Sequence, residues 1–319
     1  MLRLDAAAET ERIAASIRAM VFDRLRRKGA VVGVSGGIDS AVVAFLCARA
    51  LGRDRVQALF TPEDESSDDS LRLGRMVTEA AGVRSVVENV GPILRAARCY
   101  ERRDDAIRLV VPEYGDGYRS KIVLPDFMEA GRYALFSVVV EAPDGSTKKV
   151  RLNAAAYLGI VAATNFKQRA RKMVEYHYAD RLEYAVAGTP NRLEYDLGFF
   201  VKNGDGAADF KPIAHLYKSQ VFQLAEYLGV PEEVRRRPPT TDTYSLPQSQ
   251  EEFYFMAPLQ TMDLCLYGWK HGASAANLAA ALDLEESQVQ RMYGFIEGKC
   301  RVARYLQSAA LTVDPVAAA

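Results

Sequence analysis

The chain has 319 residues, with 41 Lys+Arg against 41 Asp+Glu and 3 His, so its formal net charge is zero at pH 7 and a strongly basic nucleic-acid binder is excluded. A composition of 49% hydrophobic and 26% charged residues is that of an ordinary globular protein of one large domain or two small ones. The longest apolar stretch, Ala154 to Ala163, is about half of the roughly 20 residues that span a bilayer, and Arg3, Asp5 and Glu9 precede any apolar run, so neither secretion nor membrane insertion is expected.

In chain order, residues 6–28 place Ile13, Ile17, Met20, Val21 and Leu25 at helical spacing, which predicts a surface helix closed by Gly29. The basic run Arg24, Arg26, Arg27 and Lys28 reads as its solvated end. A strand over 30–34, the loop Ser35-Gly36-Gly37-Ile38-Asp39-Ser40 and a helix over 41–51 ending at Gly52 open an α/β domain. Buried strands are predicted at 55–60 and 83–89, with a helix over 70–81 between them. The acidic residues Glu63, Asp64, Glu65, Asp68 and Asp69 read as a solvated loop capping that helix.

The stretch 104–153, rich in Tyr, Gly and Pro, looks inserted; within it, residues 134–140 and 148–152 flank Pro143-Asp144-Gly145-Ser146 as a β-hairpin with an Asp-Gly turn. A helix follows over 165–182, then a strand over 184–188. Strands alternating with helices predict a parallel sheet flanked by helices. Residues 235–250 carry three prolines and many hydroxyls and read as a loop, and residues 255–306 return to helical patterning. Cys47, Cys99, Cys265 and Cys300 form no Cys-x-x-Cys pair, which removes the usual support for a zinc ribbon or a redox motif and leaves a reducing cytoplasm as the expected location.

The strand–glycine loop–helix at 30–51 carries the strongest chemical signal. Glycines without Cβ let successive N–H groups form a concave nest, and the helix N-terminus adds partial positive charge, so phosphate oxygens are the expected guest. Asp39 then makes sense with a magnesium ion between it and the phosphates; the plainer alternative is a capping residue in a strand-to-helix turn. The loop is neither a Walker A motif nor a Gly-x-Gly-x-x-Gly fingerprint.

Downstream, a strand end delivers Thr189 and Glu194 to the carboxyl edge of the sheet, where open α/β folds bind ligands. Glu194 could complete a magnesium site with Asp39, and Lys202 and Lys218 are point charges suited to phosphate. The plainer alternative is a turn at Asn203-Gly204-Asp205-Gly206 beside a solvated glutamate and two surface lysines. His177, His215 and His271 are isolated and read as structural.

The Ser-Gly-Gly-x-Asp-Ser loop resembles that of the ATP pyrophosphatase superfamily, which cleaves ATP between its α and β phosphates and activates a carboxylate or similar oxygen as the adenylate. The second block, Gly188-Thr189 through Glu194 to Gly198-Phe199-Phe200-Val201-Lys202-Asn203-Gly204-Asp205-Gly206 and Lys218-Ser219-Gln220, is similar to ammonia-dependent NAD synthetase, over about residues 30–252 apart from the inserted stretch. The resemblance implies a single domain over 1–319 of the adenine nucleotide alpha hydrolase-like fold, with an inserted β-hairpin and a helical C-terminal region.

It further implies that Gly33, Val34, Ser35, Gly36, Gly37, Ile38, Asp39 and Ser40 bind ATP, that Thr189, Lys218 and Thr240 contact ATP, and that Asp39 and Glu194 hold Mg2+. Thr240 falls in the family's mobile ATP-binding loop, and the 63–69 loop is put near the adenosine. Arg169, in a stretch similar to the family's Asn-x-x-Ala-Arg-x-Arg-Met helix, Lys202 and Asp209 fall at deamido-NAD positions. Asp39, Glu194 and Lys218 are the implied catalytic set.

The implied reaction is ATP- and Mg2+-dependent amidation of deamido-NAD with ammonia, giving NAD, AMP and pyrophosphate through an acyl-adenylate, in a homodimer with the dinucleotide site at its interface. The departures lie on the dinucleotide side. Val201 and Asn203 replace Thr and Tyr, Gln250-Glu251 replaces Asp-Glu, and Arg304 to Ala310 replace a His-Lys before two prolines. An amide ligase acting on another carboxylate is therefore the alternative enzyme reading. A tRNA-thiolating enzyme lacks paired cysteines and basic excess, and a nucleotide sensor without turnover fits poorly with intact Asp39, Glu194 and Lys218. Only about 30 residues precede the ATP loop, too few for a glutaminase domain, so free ammonia or a separate glutaminase subunit is the expected nitrogen source. Neither nucleic acid nor membrane is expected as a partner.

Overall fold

The structure, a computed structural model, describes residues 2–124, 136–240, 243–255 and 257–314. Helix α1 (Ala6–Arg18) starts where the Asp5 carboxylate accepts the Ala8 N–H at 3.0 Å, and it buries Ile13 and Ile17. It continues as a π-helical turn over Ala19–Arg24 and stops before the expected Gly29, because Arg26 takes the left-handed conformation (φ 54°). Gly29 instead serves the sheet. A Cβ there would lie 2.3 Å from the Arg55 carbonyl oxygen, so the start of the sheet closes only around a glycine.

Strand β1 (Ala30–Gly33) is central, parallel to β2 (Val56–Phe60) on one side. β3 (Arg84–Val87) lies beyond β2, and β7 (Ala185–Ala187) flanks β1 on the other side, giving the order β3-β2-β1-β7. Alternation along the strands sends Val31, Leu59 and Val186 to one face and Val32, Ala58 and Phe60 to the other. The latter face packs on α2 (Ile38–Leu51) and α3 (Asp68–Ala81), together with α1; the former packs on Tyr178 and Ala179 of α6 (Ala154–Leu182). The strand expected to be buried at 83–89 is instead the sheet edge, and its residues are largely exposed.

Between β3 and α6 come α4 (Gly91–Ala96), α5 (Cys99–Arg108) and a second, antiparallel sheet of β4 (Arg119–Val123), β5 (Ser137–Glu141) and β6 (Thr147–Arg151). The Asp-Gly hairpin is present, with the Ala142 N–H donating to the Ser146 carbonyl at 2.8 Å and Gly145 at φ 82°. Residues 134 and 135 of its first predicted strand lie outside the described residues. The sheet has a further strand, β4, that the sequence pattern does not announce, and residues 104–108 belong to α5 rather than to the insert.

Helix α6 starts at Ala154, ahead of the expected 165. Asn153 caps its first turn at 2.9 Å, and Ala156 and Ile160 pack against Ile122, Val138 and Val140 of the insert sheet. After β7 follow α7 (Arg192–Leu197), α8 (Lys218–Tyr227) and α9 (Glu232–Arg236), the last occupying the start of the predicted loop. Helices α10 (Leu259–Lys270), α11 (Ala275–Leu282) and α12 (Glu286–Gln307) form the helical C-terminal region, whose core joins Leu266, Met292 and Ile296 to Leu193 and Leu197 of α7. Among the described residues no helix is long and apolar enough to cross a membrane.

Candidate active site

The chain runs from β1 outward through β2 to β3 and then returns to the opposite side of β1 as β7. Parallel sheets that reverse direction in this way leave a crevice at the carboxyl ends of the two strands on either side of the reversal. Here those ends feed the loop Ser35–Ser40 after β1 and residues Gly188–Asn191 after β7.

In the first loop Gly36 has φ 76°, and a Cβ there would sit 2.5 Å from the Ser70 carbonyl oxygen of α3, so both backbone conformation and close approach require glycine. The Ser40 hydroxyl donates to the Gly37 carbonyl at 3.0 Å and accepts the Ser35 N–H at 3.2 Å, which fixes the turn from within. Helix α2 begins at Ile38 with no side-chain cap. Its first N–H groups therefore remain available to an anion.

The second loop enters α7 through a capping box: the Asn191 side chain accepts the Glu194 N–H at 3.1 Å, and Glu194 Oε2 accepts the Asn191 N–H at 3.1 Å. The same Asn191 donates its side-chain amide to Asp39 Oδ1 at 2.9 Å, while the Lys218 ammonium holds Oδ2. Lys218 starts α8 and is 2% exposed; its backbone N–H is fixed by Asp263 at 3.1 Å. Burial, and then the neighbouring Asp39 charge, push the Glu194 carboxyl up to about 8. Burial works against the Lys218 charge, yet Asp39 and Glu194 together outweigh it and hold its pKa above the ordinary lysine value.

Gln250 donates its side-chain amide to Glu194 Oε1 at 3.1 Å, and its side-chain carbonyl oxygen is buried without a hydrogen-bond partner among the described residues. Two adjacent carboxyls, one reluctant to ionise, and an orphaned amide oxygen make a set of hard oxygen donors that fits a magnesium ion. Among the described residues no three acidic, His or Cys side chains cluster, so phosphate oxygens and water would complete the coordination.

These groups line a cleft of about 750 Å³. It contains Ser35, Gly37, Ile38, Asp39, Ser40, Thr189, Glu194, Lys218 and Thr240, with Arg169 and Lys202 towards α12. Gly33 and Val34 line a smaller adjoining cavity of about 210 Å³, which shares Ser35, Ser40 and Thr189 with the first and is walled by Phe60, Ser70 and Glu175. Gly36 faces α3 and lines neither. Asp209 also lies outside both; its carboxylate accepts the Val186 N–H at 2.7 Å and the Tyr176 hydroxyl at 3.3 Å. The Lys202 ammonium is engaged by the carbonyls of Tyr305 (2.9 Å) and Ser308 (3.1 Å) at the end of α12. None of the three histidines lines either cavity.

One cluster reverses its expected character. Glu63 and Glu65 are not solvated: the Lys167 ammonium, 0% exposed, contacts Glu63 at 2.9 Å, Glu65 at 2.6 Å and the Thr243 carbonyl at 2.8 Å. Tyr100 donates to Glu63 at 2.6 Å, and Arg103 pairs with Glu65. Asp64 is exposed as expected, paired with Arg95, and Asp68 and Asp69 stand in the first turn of α3 behind the Ser67 cap. Asn191 is a site residue that sequence reasoning misses, and Gln250, expected on the dinucleotide side, stands instead against Glu194. The Asn-x-x-Glu spacing of a capping box is the available signal for Asn191; for Lys167, a lysine in a basic helix, there is none.

A parallel sheet with its reversal beside β1, a glycine loop at an uncapped helix N-terminus and two carboxyls bracketing a buried lysine define an α/β nucleotide-binding enzyme. Solved structures share the fold: the NH3-dependent NAD synthetase from Campylobacter jejuni matches with a TM-score of 0.63 at 21% identity, over 98% of this chain and 100% of that one. The NMN synthetase from Francisella tularensis matches with a TM-score of 0.68 at 21% identity, over 97% and 99%. The family model described as NAD synthase matches residues 9–111 and 144–300. A Mesorhizobium japonicum protein named NH(3)-dependent NAD(+) synthetase is 58% identical over 97% of each chain, and a Rhizobium meliloti protein of the same name is 56% identical over 99% of this chain and 94% of its own. The chain belongs to the NAD synthase family.

Proposed function

We propose that this chain amidates deamido-NAD with ammonia at the expense of ATP, releasing NAD, AMP and pyrophosphate. The observation that carries this reading is the Asp39–Lys218–Glu194 arrangement at the N-terminus of α2, in a member of the NAD synthase family. The substrate carboxylate oxygen attacks the α-phosphorus, and the bond to the β-phosphate oxygen breaks with its electron pair leaving on pyrophosphate. Ammonia then attacks the acyl carbon, AMP departs with the carbon–oxygen electron pair, and the nitrogen loses a proton.

The chain itself binds, orients and neutralises, so no side-chain nucleophile is required. The loop 33–40 and the α2 N-terminus cradle the phosphates, Lys218 stabilises charge on the leaving group, and Thr189 and Thr240 contact ATP. Asp39 and Glu194 would hold Mg2+, which when bound offsets charge on the departing pyrophosphate. Arg169, Lys202 and Asp209 are assigned to deamido-NAD, Lys202 exchanging its α12 carbonyls for a substrate oxygen. The cysteines are free thiols, as suits a reducing cytoplasm.

The test is to supply ATP, Mg2+ and ammonium with either deamido-NAD or nicotinate mononucleotide and to identify products by mass. NAD appearing in step with AMP and pyrophosphate, with the dinucleotide preferred in kcat/KM, is the expected result. Preferred turnover of the mononucleotide, or of neither, would sink the substrate assignment. A homodimer belongs to the same reading, with Leu158 and Met173, both exposed on α6, available to be covered by the contact. Sedimentation is expected to give twice the chain mass; a monomer at micromolar concentration rejects it.

A further inference from the structure

The family match stops at residue 111 and resumes at 144, so strands β4 and β5 lie outside the family's shared frame. They are nevertheless joined to a segment that reaches the active site. Along residues 245–252, the Ser120 N–H donates to the Ser245 hydroxyl at 2.8 Å, and the Leu246 N–H donates to the Ser120 carbonyl at 3.2 Å. The Gln248 side-chain amide donates to the Ile122 carbonyl, and the Leu124 N–H donates to the Glu252 carbonyl at 3.2 Å. Lys121 reaches the Pro247 carbonyl at 3.2 Å and pairs with the Glu252 carboxylate at 2.7 Å, a contact only 19% exposed on the lysine side.

Residues 243–248 of this proline-bearing segment lie in neither helix nor strand, so their backbone polar groups need partners from outside it; beyond them Ser249 bridges Thr240 and Glu251–Phe255 forms a π-helical turn. β4 supplies those partners at Leu246 and Pro247, while the Gln250 N–H donates to the Pro239 carbonyl at 3.0 Å. At its other end the segment is held through the Thr243 carbonyl by buried Lys167, and between these anchors Gln250 meets Glu194. We infer that β4 is a rigid brace which fixes residues 243–252 and so sets Gln250 against Glu194, with Lys121 and Ser120 as positioning residues for the amidation reaction. Lys121 is absent from both cavity linings and acts only through this segment. The kinetic part of the inference rests on the proposed role of Glu194; the structural part does not.

The experiment compares Lys121→Glu, Glu252→Lys and the charge-swapped double variant with the unaltered full chain, reading chymotrypsin cleavage after Tyr244 and Phe253 and kcat for NAD formation. In each single variant cleavage is expected to accelerate about three- to fivefold and kcat to fall by a similar factor, as loss of one partly buried ion pair allows. The double variant is expected to restore both. Ser245→Ala, which removes the acceptor of the Ser120 N–H, serves where a charge variant fails to fold, with the same directions expected. Cleavage at the original rate, or a double variant no better than the singles, overturns the brace. Faster cleavage with unchanged kcat overturns its coupling to Glu194. An unaltered chain that makes no NAD defeats the functional reading and leaves the cleavage comparison standing.

Discussion

Asp39→Ala is expected to lower pyrophosphate release by at least about a hundredfold, the scale on which removing one group that stabilises developing charge reduces turnover. The fold should survive. Lys218 would lose its nearest counter-charge, and a buried ammonium left unpaired is costly, but Glu194 is poised to replace it. Burial and the Asp39 charge keep the Glu194 carboxyl high. With Asp39 gone, the second of these influences disappears, Glu194 ionises more readily, and it neutralises Lys218. Pyrophosphate release paired with a thermal melt checks both halves. Near-normal turnover would remove Asp39 from the proposed cation site, and a collapsed melt would show that Glu194 does not take over.

Lys167→Met carries the largest expected effect on stability, about 3–5 kcal/mol, because it leaves Glu63 and Glu65 without their shared buried cation. The loss should depend on pH in a defined sense. In the unaltered chain burial pushes the Glu63 carboxyl up, but Lys167, the Tyr100 hydroxyl and the Glu65 N–H together hold it below the ordinary value. Its stabilisation is therefore present above the unfolded carboxyl range and fades as pH falls through the lowered folded value. Without Lys167 burial is no longer opposed by the cation, the carboxyl shifts upward, and protonation relieves the variant as pH drops towards about 5. Denaturant midpoints measured from pH 8 to pH 5 should converge. A gap that stays constant over this range, or no gap at all, would refute the account.

Much of the central sheet is legible in the sequence because its strands are short apolar runs punctuated by glycine. The glycine loop is legible because few chemistries need Ser-Gly-Gly-x-Asp-Ser between a strand and a helix. Asp39, Glu194 and Lys218 fall into one site on sequence grounds, and in the structure Asp39 pairs with Lys218 while Glu194 lies near enough to feel both charges. What stays hidden depends on long-range partners. Glu63 and Glu65 read as solvated, since an acidic run usually is; only the arrival of Lys167 and Arg103 from distant helices makes their burial affordable. Strand β4 escapes notice because its alternation is short, and β3 reads as buried because edge position is a property of the sheet and not of the strand. The end of α1 is misplaced because Arg26 takes the left-handed turn usually left to glycine.

Helix α6 runs through three separate apolar clusters. Its first turns lie under the insert sheet, its middle beside Leu94 and Cys99, and its last turns beneath the parallel sheet. A helix shared in this way welds its neighbours into one cooperative unit, because no cluster can open without stripping part of the same rod. The insert, whose strands β4 and β5 lie outside the residues the family model matches, is thus a built-in wall of the domain: deleting it would uncover part of the apolar face of α6's N-terminal turns, with α5 still packed on the rest.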